Sequence, residues 1–361
     1  MDAIKLANYF GSVSGNILLG VDGYIDEVWQ LVESRVDRDT YTVNSTMRRF
    51  GESIVAMGAG GMANEIVRKR RSYGGFTANT GNAIARLGIK PKLLGMYGAS
   101  EAIDPVFGEP FANISELISI GDPAVCHILE FDDGKIMMPY LKAIYDVDWQ
   151  GLNAVIGITE LNRLIAEADI IAVGYWSSMP AFDEMVIGIC ANLPNDGRKR
   201  RMFFDFADMR KRDRASLEVT MKLLADLNKK IPMTLSLNEH EGAMMFAYYG
   251  ERPLSGEPDA QGVESLRERL GLDELIIHTP QTAVAATVIE GSASVPQRFV
   301  EKPVKTTGAG DTFNGGYLAA SLPTATETKL SLPERLGVAN ATTEYYLRNG
   351  FAPSWKELLS M

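Results

Sequence analysis

The chain has 361 residues, of which 46% are hydrophobic, so it is long enough to bury a large core, and its length alone would allow about two or three domains. Its formal net charge of −10 argues against nonspecific binding to nucleic acid. The basic stretch Arg68–Arg71 has no interleaved aromatic residue for base stacking, and we interpret it as a solvated face of a helix.

The spacing of the cysteines and histidines and the shortness of the apolar runs exclude further classes of protein. Cys126 and Cys190 supply neither a disulfide framework nor the ligand spacing of a zinc site, and the histidines are scattered. No run reaches the roughly 18 apolar residues of a membrane span, and the N-terminus lacks the pattern of a signal peptide. We therefore expect a cytoplasmic protein.

Short apolar runs alternate with helical patterns along the chain. The predicted strands are Ile17–Gly20, Lys92–Met96, Ile170–Val173, Met202–Asp205, Thr234–Leu237 and Glu274–His278. The predicted helices between them are Asn162–Ala168, Phe182–Ala191 and Ala215–Asn228. This order predicts an α/β fold, with a doubly wound, mostly parallel sheet and helices on both faces. Ligands of such sheets bind beyond the carboxyl ends of the strands, and Asp205, Asn238 and Asp311 all follow predicted strands.

Two stretches interrupt this alternation. Ser45–Met57 is typical of a helix, and His127–Tyr140 is typical of two short strands around the turn Asp133–Gly134. Both predictions place these residues outside the regular strand and helix order of the main sheet.

The glycine-rich stretch Lys305–Gly316 delivers Asp311 to the start of a predicted helix. Gly308 and Gly310 let the backbone approach a ligand closely, while free N–H groups and the helix dipole favour a phosphate there. Asp311 could then accept the proton of an attacking hydroxyl. On this stretch alone, a plain turn followed by a helix cap is the favoured explanation.

Two other segments carry polar residues at defined spacings. Gly74–Gly88 begins with paired glycines, places Asn79 four residues later and ends a predicted helix at Gly88. Asn238 and Glu241 follow a predicted strand and lie one helical turn apart, which fits either a metal site or a capping box.

These three segments, in this order, resemble those of the PfkB/ribokinase family of sugar and nucleoside kinases. The resemblance spans most of the chain, because Ile17–Asp26 is similar to the family's first strand with its substrate-binding aspartate. Asp26 is the better match for that aspartate and Asp22 is the second choice. The resemblance implies one ribokinase-like domain over residues 1–361, with lid segments at 27–57 and 125–145, that transfers the γ-phosphate of ATP to a sugar hydroxyl.

The resemblance also implies roles for particular residues. Those implied in catalysis are Gly308, Ala309, Gly310 and Asp311, with Asp311 as general base. Those implied in substrate binding are Asp22, Asp26, Gly74, Gly75 and Asn79. Those implied in nucleotide binding are Asn238, Thr279, Thr307, Gly308, Gly310 and Asn340. Mg²⁺ would be held by Glu241 and Asn238 through coordinated water. The expected partner is a small sugar or nucleoside, with no membrane or nucleic acid, and a homodimer stays open.

The chain departs from the family pattern at Lys305, where members commonly carry an aspartate close to a monovalent-cation site. A lysine there disfavours a second cation nearby, which argues against a monovalent cation; alternatively, Lys305 points to solvent. The stretch His278–Ala283 also lacks the two glycines usual in the nucleotide loop.

Other functions stay open on the sequence alone. A nucleoside kinase would use the same catalytic residues, and a non-catalytic sugar or nucleotide sensor could keep the same fold. A dinucleotide-dependent oxidoreductase is disfavoured, because Gly58–Ala63 does not clearly follow a strand and lacks a placed ribose-binding acid.

Overall fold

Strands and helices alternate over most of the chain and build two separate sheets. The computed structural model describes residues 2–98, 102–111, 116–250 and 256–361. The strands in chain order are β1 (Ile17–Gly20), β2 (Tyr24–Arg35), β3 (Tyr41–Val43), β4 (Ile66–Gly74), β5 (Lys92–Gly95), β6 (Glu116–Ser119), β7 (Ala124–Phe131), β8 (Gly134–Tyr140), β9 (Ile170–Gly174), β10 (Arg201–Asp205), β11 (Met233–Asn238), β12 (Glu274–His278), β13 (Thr282–Thr287) and β14 (Gly291–Pro296).

The helices in chain order are α1 (Ala3–Ser12), α2 (Met47–Met57), α3 (Phe76–Arg86), α4 (Pro105–Phe111), α5 (Lys142–Tyr145), α6 (Trp149–Ile156), α7 (Ile158–Glu167), α8 (Phe182–Ala191), α9 (Arg214–Asn228), α10 (Glu239–Tyr249), α11 (Ala260–Leu270), α12 (Ala309–Ala319), α13 (Leu332–Asn349) and α14 (Trp355–Leu358). Among the helices of these described ranges, none has both the length and the apolar character needed to cross a membrane.

The first sheet has the strand order β14-β13-β12-β11-β10-β9-β1-β5-β6. Its strands from β12 to β6 in that order run parallel, and only β13 and β14 pair antiparallel. Strands such as β1 and β9 are buried along their whole length, because helices cover both faces of the sheet. The predicted α/β class and the predicted strands are therefore confirmed, and the carboxyl ends of the parallel strands meet at one edge.

The second sheet is built from segments distant in sequence. Strand β2 pairs with β3, β4 and β7, and β8 pairs with β7 on its outer side. The predicted hairpin over 127–140 is confirmed as β7 and β8, and the predicted helix within 45–57 is confirmed as α2. The predicted lid segments 27–57 and 125–145 both contribute to this sheet, and β4, which lies outside them, contributes as well.

The interpretation of Arg68–Arg71 as a helix face is wrong, because these residues lie in β4. Lys69 is the extra residue of a bulge in the pairing with β2, so the basic side chains do not alternate regularly. All four reach carboxylates on neighbouring segments: Arg71 pairs with Asp104 at 2.7 Å, Lys69 and Arg70 pair with Glu130 at 2.8 and 3.1 Å, and Arg68 pairs with Glu27 at 3.5 Å. Among the described strands β4 pairs only with β2, and charged side chains are typical of such an edge strand.

Candidate active site

The glycine-rich loop ends at the first turn of α12. Gly308 precedes the helix in the left-handed region, with φ of 84°, and no side chain caps this helix start. A left-handed residue is tolerated best as glycine, which explains why the loop needs Gly308 here. The start of α12 therefore offers backbone N–H groups and the positive end of the helix dipole to an anion.

Asp311 lies in the first turn of α12 and is only 6% exposed. Asn79 Nδ2 on α3 donates to Asp311 Oδ2 at 2.8 Å, and the Tyr175 hydroxyl after β9 lies 3.5 Å from the same oxygen. Thr80 Oγ1 donates to the Asp311 carbonyl at 3.1 Å, which ties α3 to α12. Burial, and then the charge of Asp205, raise the pKa of Asp311 to about 8.

Three other acids, Asp205, Asp208 and Glu241, share the cavity with Asp311. The cavity has a volume of about 340 Å³, and its lining includes Asp205, Asn238 and Glu241. Asp205 Oδ2 accepts from Asn314 Nδ2 at 2.7 Å, and burial raises the pKa of Asp205 to about 6. Burial, and then the charge of Asp205, raise the pKa of Glu241 well above its usual value. The buried acids repel one another, so the cavity favours a cationic ligand.

Asn238 and Glu241 form the capping box of α10. Asn238 Oδ1 accepts from the backbone N–H of Glu241 at 3.1 Å, and Glu241 Oε2 accepts from the backbone N–H of Asn238 at 3.0 Å. Asn238 Nδ2 also donates to Glu241 Oε1 at 2.6 Å. The geometry thus satisfies the capping interpretation, while both residues still line the cavity beside Asp205.

Asp22 and Asp26 occupy different environments. Asp22 is fully buried and caps α3: Oδ2 accepts from Phe76 N–H and Oδ1 from Thr77 N–H, each at 2.8 Å. Gly75, with φ of 91°, precedes α3, and a Cβ there would collide with the Asp22 carboxylate. Asp22 therefore has its carboxylate engaged within the fold.

Asp26 lies on β2 of the second sheet and is partly buried. A Cβ at Gly74 would lie 2.8 Å from Asp26 Oδ2, so the glycine leaves room for this carboxylate. Burial raises the pKa of Asp26 to about 6, against the opposing charges of Lys305, Lys135 and Arg70. The structure thus brings Asp26 toward the cationic loop residue Lys305, which lies three residues before Gly308.

Lys305 is half-buried, which contradicts the alternative that its side chain points to solvent. Its ammonium lies 5.4 Å from the centroid of the Tyr346 ring. Burial lowers the pKa of Lys305, while the charge of Asp26 opposes that shift. The side chain is therefore directed toward the same region as Asp26.

The remaining predicted nucleotide residues are dispersed. Thr279 closes the β12–β13 turn, because its hydroxyl accepts from Thr282 N–H at 3.0 Å. Asn340 Nδ2 donates to the Val295 carbonyl at 3.1 Å, and Asn340 borders a separate cavity of about 350 Å³. Thr307 Oγ1 accepts from Lys135 Nζ of the second sheet.

Sequence reasoning missed three contributors. Tyr175 follows β9 at the carboxyl edge, where the position alone could have marked it, although its left-handed φ of 61° could not be predicted. His278 ends β12 and stacks on Phe313 with ring centroids 4.5 Å apart, and burial lowers its pKa to about 4. Lys135 reaches Thr307 from the second sheet, and no local signal in its hairpin predicts this contact.

The raised pKa of Asp311 predicts a stability change with pH. The folded chain holds this proton up to about pH 8, whereas an unfolded aspartate releases it near 3.8, so the carboxyl destabilises the fold progressively between these values. We expect the Asp311→Asn chain to melt at a temperature equal to wild type near pH 4 and roughly 3 °C or more higher at pH 8.5. Calorimetric scans across this pH range test it, and a difference independent of pH would contradict it.

The sheet order and the helix-terminal loop at its carboxyl edge define a ribokinase-like fold. Ribokinase of Arabidopsis thaliana, complexed with ribose and ATP, superposes with a TM-score of 0.66 at 16% identity, covering 96% of this chain and 99% of that one. Ribokinase of Cryptococcus neoformans in complex with ADP gives a TM-score of 0.65 at 17% identity, with coverage of 96% and 99%. The chain therefore has the fold of the ribokinase class.

Within this class, the chain belongs to the prokaryotic ketohexokinase family, whose family model matches residues 9–361. A ketohexokinase of Haloferax volcanii is 29% identical over 352 residues, which cover 95% of this chain and 90% of the relative. The chain is therefore a sugar kinase, a phosphotransferase with an alcohol group as acceptor.

Proposed function

We propose that this enzyme transfers the γ-phosphoryl group of ATP to a hydroxyl of a ketohexose, with Asp311 as general base. The observation that carries the proposal is the placement of Asp311: it is buried in the first turn of a helix whose N-terminus has no side-chain cap, and Asn79 orients it at 2.8 Å. The name of the family supports a ketohexose as acceptor.

Asp311 accepts the proton of the attacking hydroxyl as the hydroxyl oxygen bonds to phosphorus. A base with a pKa of about 8 is well matched to this transfer near neutral pH, because its proton affinity is high while a useful fraction remains ionised. The N–H groups around Gly308 and Gly310 stabilise charge on the transferring group at a helix N-terminus. Positioning and electrostatics therefore supply most of the catalysis.

The acceptor would lie between Asp26 on the second sheet and Asn79 on α3. Both side chains can hydrogen-bond hydroxyls, and Gly74 leaves room for the Asp26 carboxylate. Asn79 also donates to Asp311, so one amide would orient both the acceptor and the base. The second sheet would act as the lid over the acceptor.

The nucleotide would extend along the cavity from Gly308 toward Asn238 and His278. Mg²⁺ fits this cavity, because Glu241 and Asp205 are hard oxygen ligands whose mutual repulsion a divalent cation would relieve. Glu241 and Asn238 would hold the ion through coordinated water. When bound, the ion neutralises charge on the nucleotide phosphates.

The test is a substrate panel on the wild-type chain. ATP and ADP are each offered with ketohexoses, aldoses, sugar phosphates and nucleosides, and products are identified by ³¹P NMR. The expected result is a ketohexose phosphate formed from ATP. Preferred turnover of a nucleoside would favour a nucleoside kinase, and absence of turnover with every acceptor would favour a sensor on the same fold.

Lys305 also leads to a prediction about monovalent cations. A fixed ammonium and a mobile cation about 4 Å apart repel by roughly 4 kcal/mol at an effective dielectric near 20. We therefore expect equal initial rates in sodium, potassium and a large organic cation at constant ionic strength. Saturable activation of the wild type by potassium would contradict this, whereas activation found only in Lys305→Asp would support it.

A further inference from the structure

Two lysines from different parts of the fold converge on Thr307. Lys135 extends from β8 of the second sheet and donates to Thr307 Oγ1, and Lys305 lies two residues before Thr307 on the loop of the first sheet. Within the residues that the structure describes, neither ammonium forms an ion pair with a carboxylate, whereas all four basic residues of β4 do.

A continuous set of contacts joins these lysines to the general base. The Tyr346 hydroxyl donates to the Thr307 carbonyl, and the Lys305 ammonium lies 5.4 Å from the Tyr346 ring centroid. A Cβ at Gly308 would lie 3.0 Å from the Tyr346 hydroxyl oxygen and 3.2 Å from Asn79 Nδ2. Asn79 in turn donates to Asp311, so this series of neighbouring groups links both lysines to the general base.

The charge of this region is suited to an anion. The half-buried Lys305 ammonium forms no ion pair with a carboxylate of the described part of the chain, and the charge of Asp26 only partly offsets its loss of hydration. The Lys135 ammonium donates to a neutral hydroxyl, which makes a weaker bond than a phosphate oxygen would. A phosphoryl oxygen near Gly308 would give both groups charge-assisted hydrogen bonds. Lysine suits this task because its ammonium acts as a point charge with three donors.

We propose that Lys135 and Lys305 bind the transferring phosphoryl group, with Lys135 delivered by the second sheet and Lys305 by the loop before Gly308. The inference rests on the proposed function of the site. In the step, the acceptor oxygen bonds to the γ-phosphorus, the bond from that phosphorus to the leaving ADP oxygen breaks, and the acceptor proton passes to Asp311. Both lysines stay protonated and stabilise the charge on the equatorial oxygens.

With Lys135 bound to the transferring phosphoryl group, the second sheet contributes a residue to the active site. Because Lys135 is carried by β8, its charge is in place only while that sheet lies against the loop at Thr307. In the transfer of a phosphoryl group to water, no sugar acceptor lies beneath the second sheet. The rate of this hydrolysis should therefore depend less on Lys135 than the rate of sugar phosphorylation does.

The experiment compares Lys135→Met and Lys305→Met with two matched controls in the full chain. Lys69→Met removes another lysine of the second sheet, one that pairs with Glu130 at 2.8 Å, and Lys302→Met removes an exposed lysine of the same loop. We expect kcat with the best acceptor to fall about 10- to 100-fold in Lys135→Met and Lys305→Met. The KM for the acceptor should stay within about threefold, and both controls should match wild type.

Binding of a transition-state mimic supplies a readout independent of turnover. Calorimetry with ADP, aluminium fluoride and the acceptor should show affinity weakened by a factor similar to the loss in kcat, whereas ADP alone should bind all four variants as it binds wild type. Lys135→Arg should restore part of both effects, because it keeps the charge.

Failure of this proposal is distinct from failure of the proposed function. If wild type phosphorylates no ketohexose, the function is wrong, and the lysine comparison is made with whichever acceptor the panel identifies. If wild type is active but Lys135→Met and Lys305→Met both match the controls, the proposal is overturned. A rise in KM with unchanged kcat would also overturn it, because the lysines would then bind the acceptor and not the transferring group. Lys135 is exposed, so its variant stays informative even if Lys305→Met folds poorly.

Discussion

Replacing Asp311 by asparagine is expected to lower kcat by about 10²-fold or more, because the substitution keeps the size of the side chain and removes the carboxylate that takes the acceptor proton. The Asn79 amide can still donate to an oxygen at this position, so binding of the acceptor should change little. Steady-state rates with saturating ATP and sugar measure the effect.

Asp132→Asn is the matched control, since Asp132 is an exposed aspartate in the β7–β8 turn. Wild-type kcat/KM should rise as pH increases toward about 8, where Asp311 becomes ionised, and this limb should be missing from Asp311→Asn. A variant that keeps activity within a few-fold of wild type would remove Asp311 from the role of base.

The second large effect is expected for Asp26→Ala. A sugar hydroxyl that loses its buried carboxylate partner is left without a hydrogen bond, so kcat/KM for the sugar should fall about 10²-fold. Nucleotide affinity should change by less than about threefold, because Asp26 lies on the second sheet and does not line the cavity that contains Asn238 and Glu241. Calorimetry with the sugar and with ADP separates the two affinities.

Glu27→Ala is the control for this variant, because Glu27 is the next residue of β2 and pairs with basic residues, including Arg71 at 3.6 Å. Asn79→Ala should also weaken sugar binding, and in addition lower kcat through its lost contact with Asp311. Equal and negligible losses of sugar and nucleotide affinity in Asp26→Ala and Asn79→Ala would reject the proposed acceptor pocket.

The first sheet was predictable because its signals are local. Runs such as Ile17–Gly20 and Glu274–His278 are short and apolar, and their strands have these same bounds. The helix start at Gly308 was equally accessible, since a glycine before an acidic first turn has a direct conformational meaning. These features depend on neighbours in sequence, which periodicity and turn chemistry capture.

What escaped prediction depends on pairing between distant segments. The basic run Arg68–Arg71 has the pattern of a solvated helix face, and only its pairing with β2 shows that it is a strand. The two partners are distant in sequence, since Arg68 contacts Glu27, which lies 41 residues earlier. The sequence ranks Asp26 above Asp22 for substrate binding but gives no sign that Asp22 caps a helix, because that contact depends on the position of α3. Lys135 acquires a role only through Thr307, 172 residues later.

The chain connections between the second sheet and the rest of the fold lie at one end of its strands. Strand β2 begins at Tyr24, which is in register with Gly74 of β4 and Ala124 of β7. These three strands are therefore aligned at the connected end of the sheet. Lys135 lies toward the opposite end, opposite Glu130 near the β7–β8 turn. A small rotation of the sheet about this connected end therefore displaces the opposite end, where Lys135 lies, the most. A side chain at Gly23 would collide with the Met96 carbonyl, and one at Gly75 with the Asp22 carboxylate. Either substitution should rotate the sheet and move the Lys135 ammonium away from Thr307, although neither glycine contacts Thr307.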